Sequence, residues 1–259
     1  MHDIMINWEK TPAAIYRSKK GQLKPIFNND PVKLDDLINI DHQKGILYQN
    51  TSKFTQGKMA SHALIWGSRG TGKSSLVKAL LNHFYSDGLR IIEFFKDDLE
   101  DLIDVVDEIR DLPYKFIIFC DDLSFDLNDA SYKSIKVIME GSVELPPNNI
   151  LFYATSNRRH LIPEYFRDND GVDVGSEEIH YSDSVEEKLS LADRFGLWIS
   201  FYQGNQKEFL ELIDSYFSDL DNEKREKLHK MAKNFSNLRS SRSGRTAKQF
   251  FQIYGEDFE

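Results

Sequence analysis

Cysteine is nearly missing from this chain: Cys120 is the only one in 259 residues. An intrachain disulfide is therefore excluded, which suits a reducing, cytoplasmic setting. Cys120 closes an apolar run and reads as a small core residue rather than a reactive thiol. Long hydrophobic stretches are missing as well. None approaches a membrane span, and the N-terminus lacks a charged-then-apolar signal pattern, so no membrane partner is expected. No internal repeat is evident. Base is scarcer than acid, with 33 Lys and Arg against 42 Asp and Glu, a formal net charge of −9. Acid gathers between residues 97 and 111 and between 168 and 187. Base gathers late, at Lys224, Arg225, Lys227, Lys230, Lys233, Arg239, Arg242, Arg245 and Lys248, with Glu226 the one acid among them. That asymmetry favours head-to-tail association or an anionic ligand. A solvated helical face accounts for most of those lysines. Without an aromatic-interleaved groove, nucleic acid is only weakly supported as a partner.

What is present begins with the 40% hydrophobic content, enough for a real core. The length holds one α/β domain with a small appendage, or two small domains. The most informative segment is Gly67-Ser68-Arg69-Gly70-Thr71-Gly72-Lys73-Ser74. It fits G-x-x-x-x-G-K-[ST], follows a strand-like stretch (62–66) and opens a helix-like one that starts with Ser75. Glycines allow successive N–H groups to face phosphate oxygens, and the helix N-terminus adds partial positive charge there. Lys73 is expected to reach the terminal phosphates and the Ser74 hydroxyl to ligate Mg²⁺. Ser68, Arg69 and Thr71 fill the variable positions, Thr71 lending its backbone amide. The chain is thus expected to bind a nucleoside triphosphate.

Strand candidates lie at 62–66, 89–95, 115–120, 150–155 and 197–202, with helix candidates between them at 73–85, 99–110, 131–139 and 185–195. Such alternation predicts crossover connections and a mainly parallel sheet. From 34 to 47 the apolar spacing is helix-like. After Gly204 the pattern turns helical only, at 206–217, 223–234 and 245–253. The parse is an N-terminal arm with one short helix (1–33), an α/β nucleotide-binding core (34–204) and a helical lid (205–259). Residues 168–184 are the expected mobile loop.

The run 116–120 is continuously apolar, as in a strand buried on both faces, and ends in Asp121-Asp122. Ligands of open α/β sheets bind outside the carboxyl ends of the strands. Asp121 is therefore assigned to the magnesium shell and Asp122 to activating the attacking water, with capping of the next turn the bland alternative for Asp122. Asn157, just past the fourth strand, is placed near the γ-phosphate, against the alternative of a plain turn residue. Arg194 closes a helix before the fifth strand. It is either comfortable there electrostatically or projects into a neighbouring subunit to stabilise transferring phosphoryl charge. Arg245 opens the last helix and could fold over the phosphates, with Arg242 its local competitor.

In that order these features resemble an AAA+ ATPase. The phrases GSRGTGKSSLVKALL, FIIFCDDLSF, YATSNRRHLIPE, EEKLSLADRFGLW and SRSGRTAKQF resemble, more narrowly, a bacterial stand-alone AAA+ family, domain-of-unknown-function family 815, over about residues 34–251. The resemblance implies a P-loop NTPase three-layer sandwich with a parallel five-stranded sheet of order 5-1-4-3-2, a small C-terminal helical lid, and ATP with Mg²⁺. It implies the roles of sensor 1 for Asn157, arginine finger in trans within a homo-oligomer for Arg194, and sensor 2 for Arg245. Residues 37–41 would pack near the adenine. The Asp-Asp ending departs from the Asp-Glu of many AAA+ members, which bears on turnover rather than binding. No aromatic-apolar-glycine pore loop follows the second strand. Two functions follow: an ATPase that remodels or loads an unknown macromolecular client, or a slowly hydrolysing ATP-gated switch. A small-molecule kinase shares the phosphate loop but lacks an acceptor-binding insertion here.

Overall fold

The computed structural model describes residues 6–124, 132–141, 143–157, 191–217 and 220–258. Its strands are β1 (Ala13–Arg17), β2 (Gln22–Ile26), β3 (Ala63–Gly67), β4 (Leu89–Phe94), β5 (Lys115–Cys120), β6 (Ile150–Ser156) and β7 (Leu197–Phe201). Its α-helices are α1 (Asp41–Thr55), α2 (Lys73–Phe84), α3 (Leu102–Ile109), α4 (Tyr132–Glu140), α5 (Gln206–Asp214), α6 (Asn222–Leu238) and α7 (Gly244–Tyr254).

The strands form one seven-stranded sheet of order β2-β1-β4-β5-β6-β3-β7. Among the described residues, only the β1–β2 pair is antiparallel. The expectation of a five-stranded sheet is corrected here. Its five strands keep their relative order, and a hairpin extends the edge beyond β4.

That hairpin comes from residues expected to form an arm with a short helix. In β1 the side chains alternate, Ala14 and Tyr16 pointing into the core. Tyr16 stacks on Phe94 with ring centroids 4.9 Å apart. Pro25 is tolerated in β2 because an edge strand has a side with no ladder to break. The preceding segment is fastened by Arg90, whose Nε donates to the Trp8 carbonyl at 2.6 Å. Its guanidinium lies between the Tyr85 and Tyr114 rings, 4.2 and 4.6 Å from their centroids.

The continuous apolar runs of β5 and β6 reflect burial on both faces. Phe116, Ile118 and Cys120 pack with α3 and α4, whereas Ile117 and Phe119 pack with α1 and α2. Each fully buried Leu, Ile or Phe of these layers contributes roughly 1.5–3 kcal/mol. Buried polar groups stitch α1 to β6: the Tyr153 hydroxyl accepts from Asn50 Nδ2 at 2.9 Å and meets Thr51 Oγ1 at 3.0 Å.

Two helix expectations shift. Residues 34–47 are not one helix: a 3₁₀ turn (Leu34–Asp36) precedes α1, and Asn39, with φ of 62°, breaks the path between them. The stretch expected from 99 begins instead as a 3₁₀ turn (Lys96–Asp101) that leads into α3. The loop at 168–184 and most of the helix at 185–195 lie outside the described residues.

The C-terminal helices share a core of their own, with Phe209, Ile213, Leu228, Ala232, Ala247 and Phe250 at its centre. Their starts are set by side-chain caps. Asn205 forms a capping box with Glu208, Asp221 accepts from the Lys224 N–H, and Ser243 from the Thr246 N–H. Each cap is worth about 1 kcal/mol.

Candidate functional site

The site forms where β3 ends and α2 begins, at the carboxyl edge of the sheet. Gly67 has φ of 131°, and a Cβ there would sit 1.9 Å from the Phe201 carbonyl oxygen. Only glycine permits β3 and β7 to approach this closely while the Ser68 N–H donates to that same oxygen at 3.0 Å. The Thr71 hydroxyl donates to the Ser68 carbonyl at 2.8 Å, so its side chain braces the loop from within.

Lys73 opens α2 and is only 6% exposed. Its ammonium donates to the carbonyls of Gly67 and Ser68, both at 2.8 Å, and to Asn157 Oδ1 at 3.1 Å. Three donors thus serve three acceptors. Burial pulls the ammonium below its ordinary pKa; Asp121 and Asp122 oppose that, while Arg245 and Arg69 add to it.

Ser74 Oγ donates to Asp121 Oδ1 at 2.6 Å, joining the helix start to the end of β5. The following residue, Ser75, continues the first turn of α2. Asp122 has φ of 57°, a left-handed conformation that re-aims the chain as it leaves β5. Its carboxylate accepts from Asn157 Nδ2 and lies 4.0 Å from Arg69 Nη2. Glu93, on the neighbouring β4, is half-buried; burial foremost, and Asp121 next, raise its pKa, against Lys78 and Arg17.

The C-terminal helices reach the loop directly. The Arg245 N–H donates to the Gly70 carbonyl at 3.3 Å. A Cβ on Gly70, whose φ is 75°, would lie 2.8 Å from Ser243 Oγ and 3.0 Å from Arg245 Cβ. From the other side, Ile40 Cδ1 comes within 3.8 Å of where a Gly72 Cβ would stand. Asn39 Nδ2 donates to the Glu208 carbonyl of α5 at 3.1 Å.

Residues 67–75, Asp121, Asp122, Asn157 and Arg245 are thus brought together. Arg194 is not among them. It precedes β7, whose other end meets Gly67, so its backbone lies about one strand length, about 16 Å, from the loop. Its guanidinium is ion-paired with Glu140 at the end of α4. Sequence reasoning missed Thr155, which bonds to both ends of the Asp121-Asp122 step. The signal was available: β5 and β6 pair in parallel with Cys120 opposite Ala154, which brings Thr155 level with Asp121.

Magnesium suits this donor set. Ser74 and the two aspartates offer hard oxygen donors, and no group of three or more His, Cys, Asp or Glu among the described residues makes an all-protein cage. Mg²⁺ is commonly held in this way, by one or two protein oxygens together with substrate phosphates. No helix among the described residues is long and apolar enough to cross a membrane.

Solved structures share this architecture at low sequence identity. A proline-to-glycine mutant of Thermotoga maritima RuvB matches with a TM-score of 0.52 and 14% identity, over 87% of this chain and 73% of that one. A threonine-to-valine mutant of the same protein gives 0.50 and 14%, over 86% and 72%. The FIGL-1 AAA domain in complex with ADP gives 0.49 and 15%, over 78% and 68%. No curated protein matches the sequence. What the two RuvB structures share with this chain is the fold. A family model matches residues 9–257, a span that takes in the N-terminal hairpin as well as the C-terminal helices. The chain has the AAA+ P-loop NTPase fold and belongs to the family described as protein of unknown function (DUF815).

Proposed function

We propose that this chain is a magnesium-dependent ATP-binding protein that hydrolyses ATP to ADP and phosphate. In this reading hydrolysis is coupled to remodelling or loading a macromolecular client. The observation that carries the reading is the convergence of Lys73, Ser74, Asp121, Asp122 and Asn157 on one loop. The core would be residues 34–204 together with the β1–β2 hairpin that extends its sheet, and the lid 205–259.

The loop amides and the Lys73 ammonium hold the phosphates. Ser74 and Asp121 would hold Mg²⁺, which when bound would supply neutralisation of charge on the phosphate oxygens. Asn157 touches both Lys73 and Asp122, so it can report the state of the terminal phosphate to the base. Asp122 takes the proton of the attacking water as its oxygen bonds to the γ-phosphorus. The bridging P–O bond breaks and its electrons leave with ADP. Arg245, in the lid, would meet the phosphates from above. Arg194 faces the wrong end of its own sheet, so its action requires a second copy of the chain and release from Glu140.

A second reading, a slow ATP-gated switch, is favoured by one observation. Asp122, a methylene shorter than Glu, is already engaged by Asn157 and Arg69. Phosphate release measured across protein concentration separates the two. Turnover that rises with concentration and disappears in Arg194→Ala supports the ATPase; tight ATP binding with negligible turnover supports the switch. Absence of ATP binding by the folded protein contradicts both.

A further inference from the structure

The geometry points to Thr155 as a positioning residue that holds the magnesium-facing carboxylate in place. This deepens the proposed function and rests on it. Thr155 is 1% exposed, near the end of β6. A hydroxyl has one proton to give and two lone pairs to receive with. Here the Asp122 N–H donates to Thr155 Oγ1 at 2.8 Å, which leaves the hydroxyl proton directed at Asp121 Oδ1. The Thr155 carbonyl accepts from the Leu123 N–H at 2.7 Å. One residue therefore grips the backbone on both sides of Asp122 and the carboxylate of Asp121.

The grip has a consequence for the metal. Asp121 Oδ1 accepts from two hydroxyls, Ser74 and Thr155. A Ser74 oxygen that ligates a cation need not keep its bond to Asp121. Thr155 touches no loop residue in these contacts, so its bond persists and Asp121 stays aimed. The same residue's bonds to the backbone steady the left-handed Asp122, so a single buried threonine keeps both acids in register. Its place on the strand between β5 and β3 suits this task, since it stands beside the β5 end and near the loop.

The test separates Mg²⁺ from nucleotide. ATP affinity is measured by calorimetry with EDTA and with excess MgCl₂ for the wild type, Thr155→Val and Thr155→Ser. For wild type a clear gain in affinity with Mg²⁺ is expected. In Thr155→Val, the EDTA affinity should remain within about twofold while the Mg²⁺-dependent gain falls at least about tenfold, the loss of one hydrogen bond to a charged group. Thr155→Ser should restore the gain. An unchanged gain in a folded Thr155→Val protein overturns the proposal. If that variant does not fold, Thr155→Ala is read in the same way. Collapse of both, with Thr155→Ser intact, assigns the hydroxyl to folding and also overturns it. Wild-type protein that binds no ATP in either condition defeats the nucleotide reading itself, a result distinct from the others.

Discussion

Replacing Gly70 by alanine tests whether the C-terminal helices rest on the loop between β3 and α2. Two costs are expected. The first is conformational: φ at Gly70 is 75°, where an L-residue loses about 1–2 kcal/mol. The second is contact. The new methyl would lie 2.8 Å from Ser243 Oγ and 3.0 Å from Arg245 Cβ. The α7 start must then retreat, which sacrifices the Arg245 N–H to Gly70 carbonyl bond, worth about 1 kcal/mol. Gly88 supplies the control. Its φ is 89° and a Cβ there meets nothing within 4 Å, so Gly88→Ala carries the conformational cost alone. Denaturant unfolding should therefore show a loss of about 1–2 kcal/mol for Gly88→Ala and about 2–3 kcal/mol for Gly70→Ala. Proteolysis between the core and α5 should quicken only in Gly70→Ala, and ATP affinity should fall only there. Equal stability losses, with ATP affinity and proteolysis unchanged in both, would refute the docking of α7 on the loop.

Other outcomes follow from the same structure. His62 is buried with its Nδ1 accepting the Phe152 N–H, and burial lowers its pKa to about 4. The unfolded histidine takes a proton near pH 6.5 and the folded one does not. Stability is therefore whole above pH 6.5 and is lost as pH falls toward 4, by about 3 kcal/mol from this residue. Thermal melts of His62→Gln should show a shallower decline over that interval than wild type. Asp122→Asn should retain ATP binding by calorimetry while phosphate release falls at least about a hundredfold, because the amide cannot take a proton. Arg90→Ala removes the donor to the Trp8 carbonyl and the cation between Tyr85 and Tyr114. It should cost about 2–4 kcal/mol in denaturant unfolding and speed cleavage N-terminal to β1.

The site was far more legible in the sequence than the edge of the sheet. The proposed phosphate loop is read from one chain segment because its glycines, lysine and serine have no interchangeable substitutes for the tasks proposed for them. Asp121 and Asn157 were legible through a rule of topology: polar residues at the ends of apolar parallel strands face the ligand edge. The β1–β2 hairpin was not. Five alternating residues make a short period-2 signal, and the connection lacks the Asn-Gly or Asp-Gly pair that marks a tight hairpin. Ser18, Lys19 and Lys20 instead form a 3₁₀ turn closed by Gly21. What makes the hairpin stable is tertiary, namely Tyr16 on Phe94 and pairing with β4. Thr155 escaped notice for a related reason. A threonine inside a buried strand is ordinary until register puts it opposite a specific carboxylate. The break at Asn39 between the 3₁₀ turn and α1 likewise depends on contacts across the molecule, with Asn39 reaching α5.

The most direct measurement is titration of the purified, folded protein with ATP and MgCl₂ by calorimetry, alongside Lys73→Ala. Saturable heat from the wild type, with affinity reduced at least about a hundredfold when the buried ammonium is removed, is the result expected. Either no heat from the wild type or equal binding by both proteins contradicts the account.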